Sequence, residues 1–305
     1  MSADLSLQEL LEVQDFFDLP SPALVEKDFY VTKALAAIAN LDVGPSSLVL
    51  GGGTSLCRAY RLIKRMSEDV DLKIVSDQKL KRPELRIIRD QITNSLLEAG
   101  FLFNPEDRAQ RDSGNASEYT IFRLPYSPLT SGEGVLRPAI QIEVIVSSLR
   151  LPAQKMPLQS FVSEALNRPA EVEGVLCVSI NQTAAEKFVA LTRRTAAEIA
   201  DAGGKRDQTL GRHIYDLHIT RSHYDPADVM KLAKDIMQTD AAVYGNQFPA
   251  YRDNPIATTI QAVNSLQTLQ EYADRYVHFH REMVYGESVT YETCLKTLQE
   301  LVEAL

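Results

Sequence analysis

Between Val49 and Ile74 the chain reads VLGGGTSLCRAYRLIKRMSEDVDLKI, and these residue types could handle a phosphate beside a metal ion. Gly51-Gly52-Gly53 permits backbone angles closed to other residues. Successive N–H groups can then point at one anion, with the positive end of a following helix behind them. Thr54 and Ser55 add hydroxyl donors. The stretch is neither a Walker loop nor a dinucleotide fingerprint, because no Gly-Lys-Ser/Thr follows and the glycines lack the wider spacing. Further on come Asp69-x-Asp71. Strand residues two apart share a face, so both carboxylates point one way while Val70, Leu72 and Ile74 point into a core. Two carboxylates on one face repel unless a cation lies between them. Mg2+ (or Mn2+) suits, since it takes oxygen ligands and bridges to substrate phosphates. A glycine triplet alone is more often an ordinary strand-to-helix turn, and an isolated Asp-x-Asp is usually a solvated strand edge. The joint spacing singles out this stretch.

Further candidates lie downstream. In Ala139–Val146 (AIQIEVIV), Ile140, Ile142, Val144 and Val146 form one face, and Gln141 and Glu143 the other. Glu143 is the lone charge in this apolar strand, and a buried lone carboxylate is costly unless paired or metal-bound. It could complete a two-metal site, act as a general base, or sit at an exposed strand position. Thr183-x-x-Glu186 resembles a capping box that opens a helix. Lys187 on that helix could reach a phosphate as a point charge. Arg212 and Asp216 are one turn apart and could form an intrahelical pair. His213, His218 and His223 lack the spacing of a helical metal pair, so they suggest no zinc site.

The elements that must position these residues can be read from periodicity. Helical spacing runs through Leu5–Phe17 and Leu24–Ile38, with Ser21-Pro22 as a start for the second. Ser47–Leu50 reads as a buried strand, Thr54–Lys64 as a helix, Val70–Val75 as a strand, and Pro83–Ala99 as a helix ended by Gly100. Residues 104–118 read as loop. Tyr119–Leu124 and Ala139–Val146 flank the turn-rich linker PYSPLTSGEGVLRP and suggest antiparallel pairing. Beyond Gln182 the pattern is almost wholly helical. The expected fold class is α+β: a mixed sheet with helices over residues 1–150, then a mostly helical domain over 151–305.

At 305 residues with 45% apolar and 24% charged composition, the chain can bury a core without disulfide or metal staples. Cys57, Cys177 and Cys294 have no ligand-like spacing, which fits a reducing cytoplasm. The start, MSADLSLQEL, lacks a basic-then-apolar signal pattern, and no apolar run reaches a membrane span. The net charge of −9 argues against a general nucleic-acid binder but leaves room for local basic surfaces. Three basic groups qualify: Arg58, Arg61, Lys64 and Arg65; Lys79, Lys81, Arg82, Arg86 and Arg89; and Arg193, Arg194, Lys205, Arg206 and Arg212.

Gly-Gly-Gly-Thr-Ser-Leu followed by Arg65-x-Ser67-x-Asp69-x-Asp71-Leu72 resembles the AbiEii/AbiGii toxin family of nucleotidyltransferases, which includes the MenT toxins. Glu26-Lys27-Asp28-Phe29-Tyr30, Glu186-Lys187-Phe188-Val189-Ala190-Leu191 and Arg212-His213-Ile214-Tyr215-Asp216-Leu217 are similar to further segments of that family. His213 stands where Asp is common. The resemblance runs from about residue 26 to about residue 220. It implies a nucleotidyltransferase-type sheet whose active-site cleft is completed by the C-terminal domain. It implies metal binding by Asp69 and Asp71, with Glu143 as a third acid. Gly52, Gly53, Thr54, Ser55, Arg65 and Ser67 would hold the nucleotide. Lys187 would contact phosphate, and Asp216 would position that lysine or the acceptor. The implied reaction moves a nucleoside monophosphate from an NTP to an acceptor. Several relatives modify the 3′ end of tRNA and are neutralised by a co-encoded antitoxin, so tRNA and an antitoxin are the implied partners. The alternatives are a protein or small-molecule acceptor, or a nucleotide-binding module without catalysis.

Overall fold

The continuous apolar run Leu48-Val49-Leu50 within Ser46–Gly51 and the alternating apolar residues of Asp69–Ser76 give strands β1 and β2, and these form the centre of a seven-stranded sheet. The computed structural model describes residues 5–130, 136–200, 206–244 and 248–305. Met1–Asp4, Lys205 of the third basic group and residues 131–135 of the turn-rich linker lie outside the described residues. By chain contacts the molecule divides into Met1–Val178 and Ser179–Leu305.

Unit 1 begins with helices α1 (Leu7–Phe17) and α2 (Pro22–Ile38). Ser6 and Glu9 form a reciprocal capping box on α1, and Ser21 with Pro22 opens α2 as its spacing predicts. After β1 come the short helix α3 (Gly52–Thr54), a π-helical turn over Ser55–Ala59, β2, and α4 (Arg82–Glu98). The strands β3 (Arg111–Gly114), β4 (Tyr119–Pro125), β5 (Ala139–Val146) and β6 (Gln154–Leu158) follow, then α5 (Phe161–Ala165) and β7 (Val172–Cys177). The strand order is β3-β4-β5-β2-β1-β7-β6. β1 and β2 are antiparallel, β2 and β5 parallel, and β4 and β5 antiparallel as the sequence suggested.

One face of this sheet is a core. Leu48 and Leu50, Val70, Leu72 and Ile74, and Ile140, Ile142 and Val144 pack against Leu35 and Ile38 of α2 and Ile88, Ile92 and Leu96 of α4. Each such fully buried side chain stabilises the fold by about 1.5–3 kcal/mol. The opposite face carries Asp69 and Asp71.

Three local readings need correction. The helix expected over Thr54–Lys64 ends at Ala59, where a π turn hands over to extended chain and Arg61 takes a φ of 57°. Residues 111–114, expected as loop, pair with β4 at the sheet edge. The strands β6 and β7 lie beyond the division expected at 150/151, and β7 joins β1 through Leu50 and Cys177, so the sheet belongs to unit 1 up to that point.

Unit 2 contains α6 (Ile180–Ile199), α7 (Leu210–Ile219), α8 (Pro226–Tyr244), α9 (Pro249–Asp253), α10 (Pro255–Thr268), α11 (Gln270–Met283) and α12 (Tyr291–Glu303). The helical reading beyond Gln182 agrees with this. The cap of α6 is Ser179, which accepts a bond from the Gln182 N–H. Thr183 is a buried interior residue of that helix, because the helix starts one turn earlier than the apparent capping box. No helix among the described residues is long and apolar enough to cross a membrane. Cys57, Cys177 and Cys294 are buried thiols, none of them in a disulfide.

Candidate active site

The register of three strands assembles the acidic face. Gly51 on β1 lies opposite Asp71 on β2, and Asp71 lies opposite Glu143 on β5. Asp69 lies opposite Gln141 one step along. In-register neighbours present side chains on the same side of a sheet. Asp69, Asp71 and Glu143 therefore share one face, away from the core made by Val70, Leu72 and Ile74.

The glycine turn is built against these acids. Gly52 has a φ of 66°, and a Cβ there would fall 1.8 Å from Asp71 Oδ2. Only glycine allows the turn to approach so closely. A Cβ at Gly53 would meet Arg65 Nη2 at 2.4 Å and Ser67 Oγ at 2.7 Å. The Arg65-x-Ser67-x-Asp69 run thus folds back onto the turn, and both Arg65 and Ser67 are buried. Arg65 Nη1 donates to the Met66 carbonyl at 2.7 Å.

Thr54 and Ser55 are fully buried. Thr54 Oγ1 donates to the Asp69 carbonyl at 2.5 Å and lies 3.1 Å from Ser67 Oγ. Ser55 Oγ donates to the Gly52 carbonyl at 2.9 Å. These hydroxyls brace the turn and clamp it to the start of β2. Both hydroxyl donors are thus committed to backbone carbonyls.

Arg137 had no periodic signal in the turn-rich linker, yet it is central to this face. Its Nη2 is 2.5 Å from Asp69 Oδ1, and its Nη1 donates to Gln141 Oε1 at 2.9 Å. Gln141 Nε2 in turn donates to Glu143 Oε1 at 2.8 Å. Lys73, two residues beyond Asp71 on the same face, is buried beside Gly51. Strand alternation carried that signal. Tyr119 and Arg123 on β4 share the face through their pairing with Ile145 and Gln141. Burial raises the Tyr119 pKa, and the Glu143 and Asp71 charges add to the effect.

Among the described residues no three His, Cys, Asp or Glu side chains converge as a metal cage. Magnesium does not require one, since one or two carboxylates plus substrate phosphates and water complete its octahedron. The Asp69–Asp71 pair fits that requirement. Glu143, held by Gln141, is not gathered with them into a cage of three.

The Glu26-Lys27-Asp28 run supports the site through three distant segments. Glu26 accepts from the Leu129 N–H at 2.7 Å. Lys27, with no exposed surface, donates to the Arg137 and Ala139 carbonyls at 2.7 and 2.6 Å and lies 3.4 Å from Glu68. Burial lowers the Lys27 pKa, and Glu68 pulls it back up. Asp28 pairs with Arg58 at 3.1 Å and accepts from the Phe161 N–H at 2.7 Å. Complete burial pushes the Asp28 carboxyl up to about 6, against the pull of Arg58.

In unit 2, Lys187 on α6 and Asp216 on α7 form a buried ion pair at 2.6 Å. His213 lies near both. Its Nδ1 is buried without a hydrogen-bond partner, and burial followed by the Lys187 charge holds its pKa well below the usual imidazole range. The basic groups are largely tied within the chain: Arg61 to Glu164, Arg193 to Asp240, Arg194 to Asp207 and Arg206 to Glu271.

No curated protein matches the sequence. Among solved structures, the chain is similar in fold to MenT4, a nucleotidyltransferase toxin from Mycobacterium tuberculosis H37Rv. That match has a TM-score of 0.61 and 14% identity, and covers 98% of this chain and 89% of that one. The family model for the nucleotidyl transferase AbiEii toxin of type IV toxin–antitoxin systems matches residues 33–303. A match over nearly the whole chain, on a sheet that sets a glycine turn against paired carboxylates, places this protein in the AbiEii nucleotidyltransferase toxin family.

Proposed function

We propose that this toxin is a divalent-metal-dependent enzyme that moves a nucleoside monophosphate from an NTP to the 3′ end of tRNA. The observation that carries the site assignment is the close approach of Gly52 to Asp71, which sets an anion-binding turn against a carboxylate pair. The tRNA acceptor rests on the sequence resemblance described above.

Asp69 and Asp71 are the proposed ligands for magnesium. When bound, the ion supplies positive charge at the α-phosphate and the leaving oxygen. The N–H groups of Gly52 and Gly53 orient the phosphates, with Arg65 and Ser67 behind them. Thr54 and Ser55 fix the turn that presents those groups. The acceptor hydroxyl attacks the α-phosphorus, the bond from that phosphorus to the bridging oxygen breaks, and pyrophosphate leaves. Glu143 is the proposed base for the hydroxyl proton, because it lies across from Asp71 on the same face of the sheet. Lys187 is the proposed phosphate contact and Asp216 its positioning partner. Such fixed charges act by stabilising charge that develops in the transition state.

The test incubates each α-labelled NTP and magnesium with separate tRNA, protein and small-molecule pools, beside the Asp71→Ala variant. Label is expected on tRNA 3′ ends, with loss of about 10²–10³-fold or more in the variant. Label on another pool reassigns the acceptor. Absence of pyrophosphate release with every pool leaves a nucleotide-binding module. Undiminished turnover in the variant removes the metal assignment.

A further inference from the structure

Arg137 places a permanent cation on a carboxylate that the proposed mechanism gives to a metal. Its Nη2 sits 2.5 Å from Asp69 Oδ1. A guanidinium stays protonated at any physiological pH, so deprotonation cannot release that carboxylate. Two cations cannot both use Asp69 in the same geometry without mutual repulsion.

The surroundings hold the base of this side chain while leaving its tip exchangeable. The Arg137 N–H donates to Glu68 Oε2 at 3.3 Å, and its carbonyl accepts from Lys27 Nζ at 2.7 Å. Lys27 holds the next turn of chain as well, through the Ala139 carbonyl, and is itself fully buried. The guanidinium is held more loosely: its Nε lies 3.7 Å from Glu68 Oε2, while its Nη2 meets Asp69 in a pair whose side chains are 49% and 24% exposed. Ion pairs with this much solvent contact are weak and readily broken. The other arm of the fork holds Gln141, which reaches Glu143. One guanidinium therefore touches or orders groups at both ends of the acidic face.

We propose that Arg137 is a two-position guanidinium. It pairs with Asp69 until a divalent cation takes that carboxylate, and it then turns to the anionic oxygens of the NTP triphosphate. The proposal rests on the reading of Asp69 and Asp71 as metal ligands. The arginine offsets the Asp69 charge before substrate arrives. A planar fork with several N–H donors suits phosphate oxygens as well as a carboxylate. The residue competes with the metal alone and cooperates with metal plus nucleotide. A purely structural arginine would do neither.

The experiment compares the full-length wild type with Arg137→Ala, Arg137→Lys and Asp69→Asn. Mn2+ affinity is measured by electron paramagnetic resonance without nucleotide. Binding of an NTP analogue with a non-scissile α–β bridge is then measured by calorimetry at saturating Mn2+. Arg137→Ala is expected to bind Mn2+ about two- to five-fold more tightly, since the competing pair is gone. The same variant is expected to bind the analogue about tenfold more weakly, from loss of a charge-assisted contact. Arg137→Lys is expected between the two, retaining charge without the fork. Equal or weaker Mn2+ binding by Arg137→Ala, with normal binding by the wild type, overturns the proposal and leaves the metal site standing. Analogue affinity unchanged in Arg137→Ala overturns the second position. Wild-type Mn2+ affinity unaltered in Asp69→Asn, with or without the analogue, overturns the metal reading and the proposal with it.

Discussion

At the scale of single residues, the sharpest constraint is at Gly52. A methyl group there must displace the Asp71 carboxylate, and a φ of 66° adds left-handed strain of about 1–2 kcal/mol. Gly52→Ala is therefore expected to lose turnover out of proportion to its loss of stability. Parallel urea unfolding and nucleotide-transfer assays would check this, and equal losses would contradict it. Asp28 makes a prediction of opposite character. Its carboxyl is raised from 3.8 to about 6, so the folded protein holds a proton that the unfolded chain has released in that interval. The resulting stabilisation is present below the unfolded value and disappears as pH climbs through the folded one. On this shift it amounts to about 3 kcal/mol. Asp28→Asn should flatten this part of the profile. Urea midpoints from about pH 4 to about pH 7 check this: the wild-type-minus-variant difference is expected to fall as pH rises, and a flat difference would contradict it.

At the scale of elements, two helices of unit 2 make a test that separates structure from chemistry. Lys187→Met leaves Asp216 buried without its cation, which costs about 3–5 kcal/mol. The double variant Lys187→Met/Asp216→Asn is expected to recover most of that stability while turnover stays low. Recovery of turnover along with stability would make the pair structural only. The elements also show what the sequence could disclose. β1 was legible from its unbroken apolar run Leu48-Val49-Leu50, and β2, α2, α4 and the β4–β5 pairing from the periodic trace that burial leaves. Asp69 and Asp71 were legible for the same reason, since alternation separates them from Val70, Leu72 and Ile74. β3 and β6 were not, because the edge strands Arg111–Gly114 and Gln154–Leu158 bury few side chains, and the interior strand β7 has a glycine and a glutamate breaking its short apolar pattern. The start of α6 was misplaced because Thr183-x-x-Glu186 has the form of a cap, whereas Ser179 makes the bond. Arg137 could not be found by pattern at all: its place depends on Lys27 and Glu68, which are remote in sequence.

At the scale of the whole molecule, every strand of the sheet lies before Ser179, and the helices covering its apolar face lie there too. A fragment ending at Val178 is expected to fold alone, with one cooperative urea transition and the far-ultraviolet dichroism of a mixed sheet-and-helix protein. A gradual transition would show that the sheet depends on the rest of the chain. A further consequence concerns insertions and deletions. On α2, Glu26, Lys27 and Asp28 grip three separate stretches, at Leu129, at Arg137 to Ala139, and at Phe161. Neighbouring helical positions differ by about 100° around the axis. Dropping a single residue between Asp28 and Leu35 would swing all three grips out of alignment with the apolar positions that seat the helix on the sheet. This stretch of the gene should therefore accept point changes far more readily than changes in length.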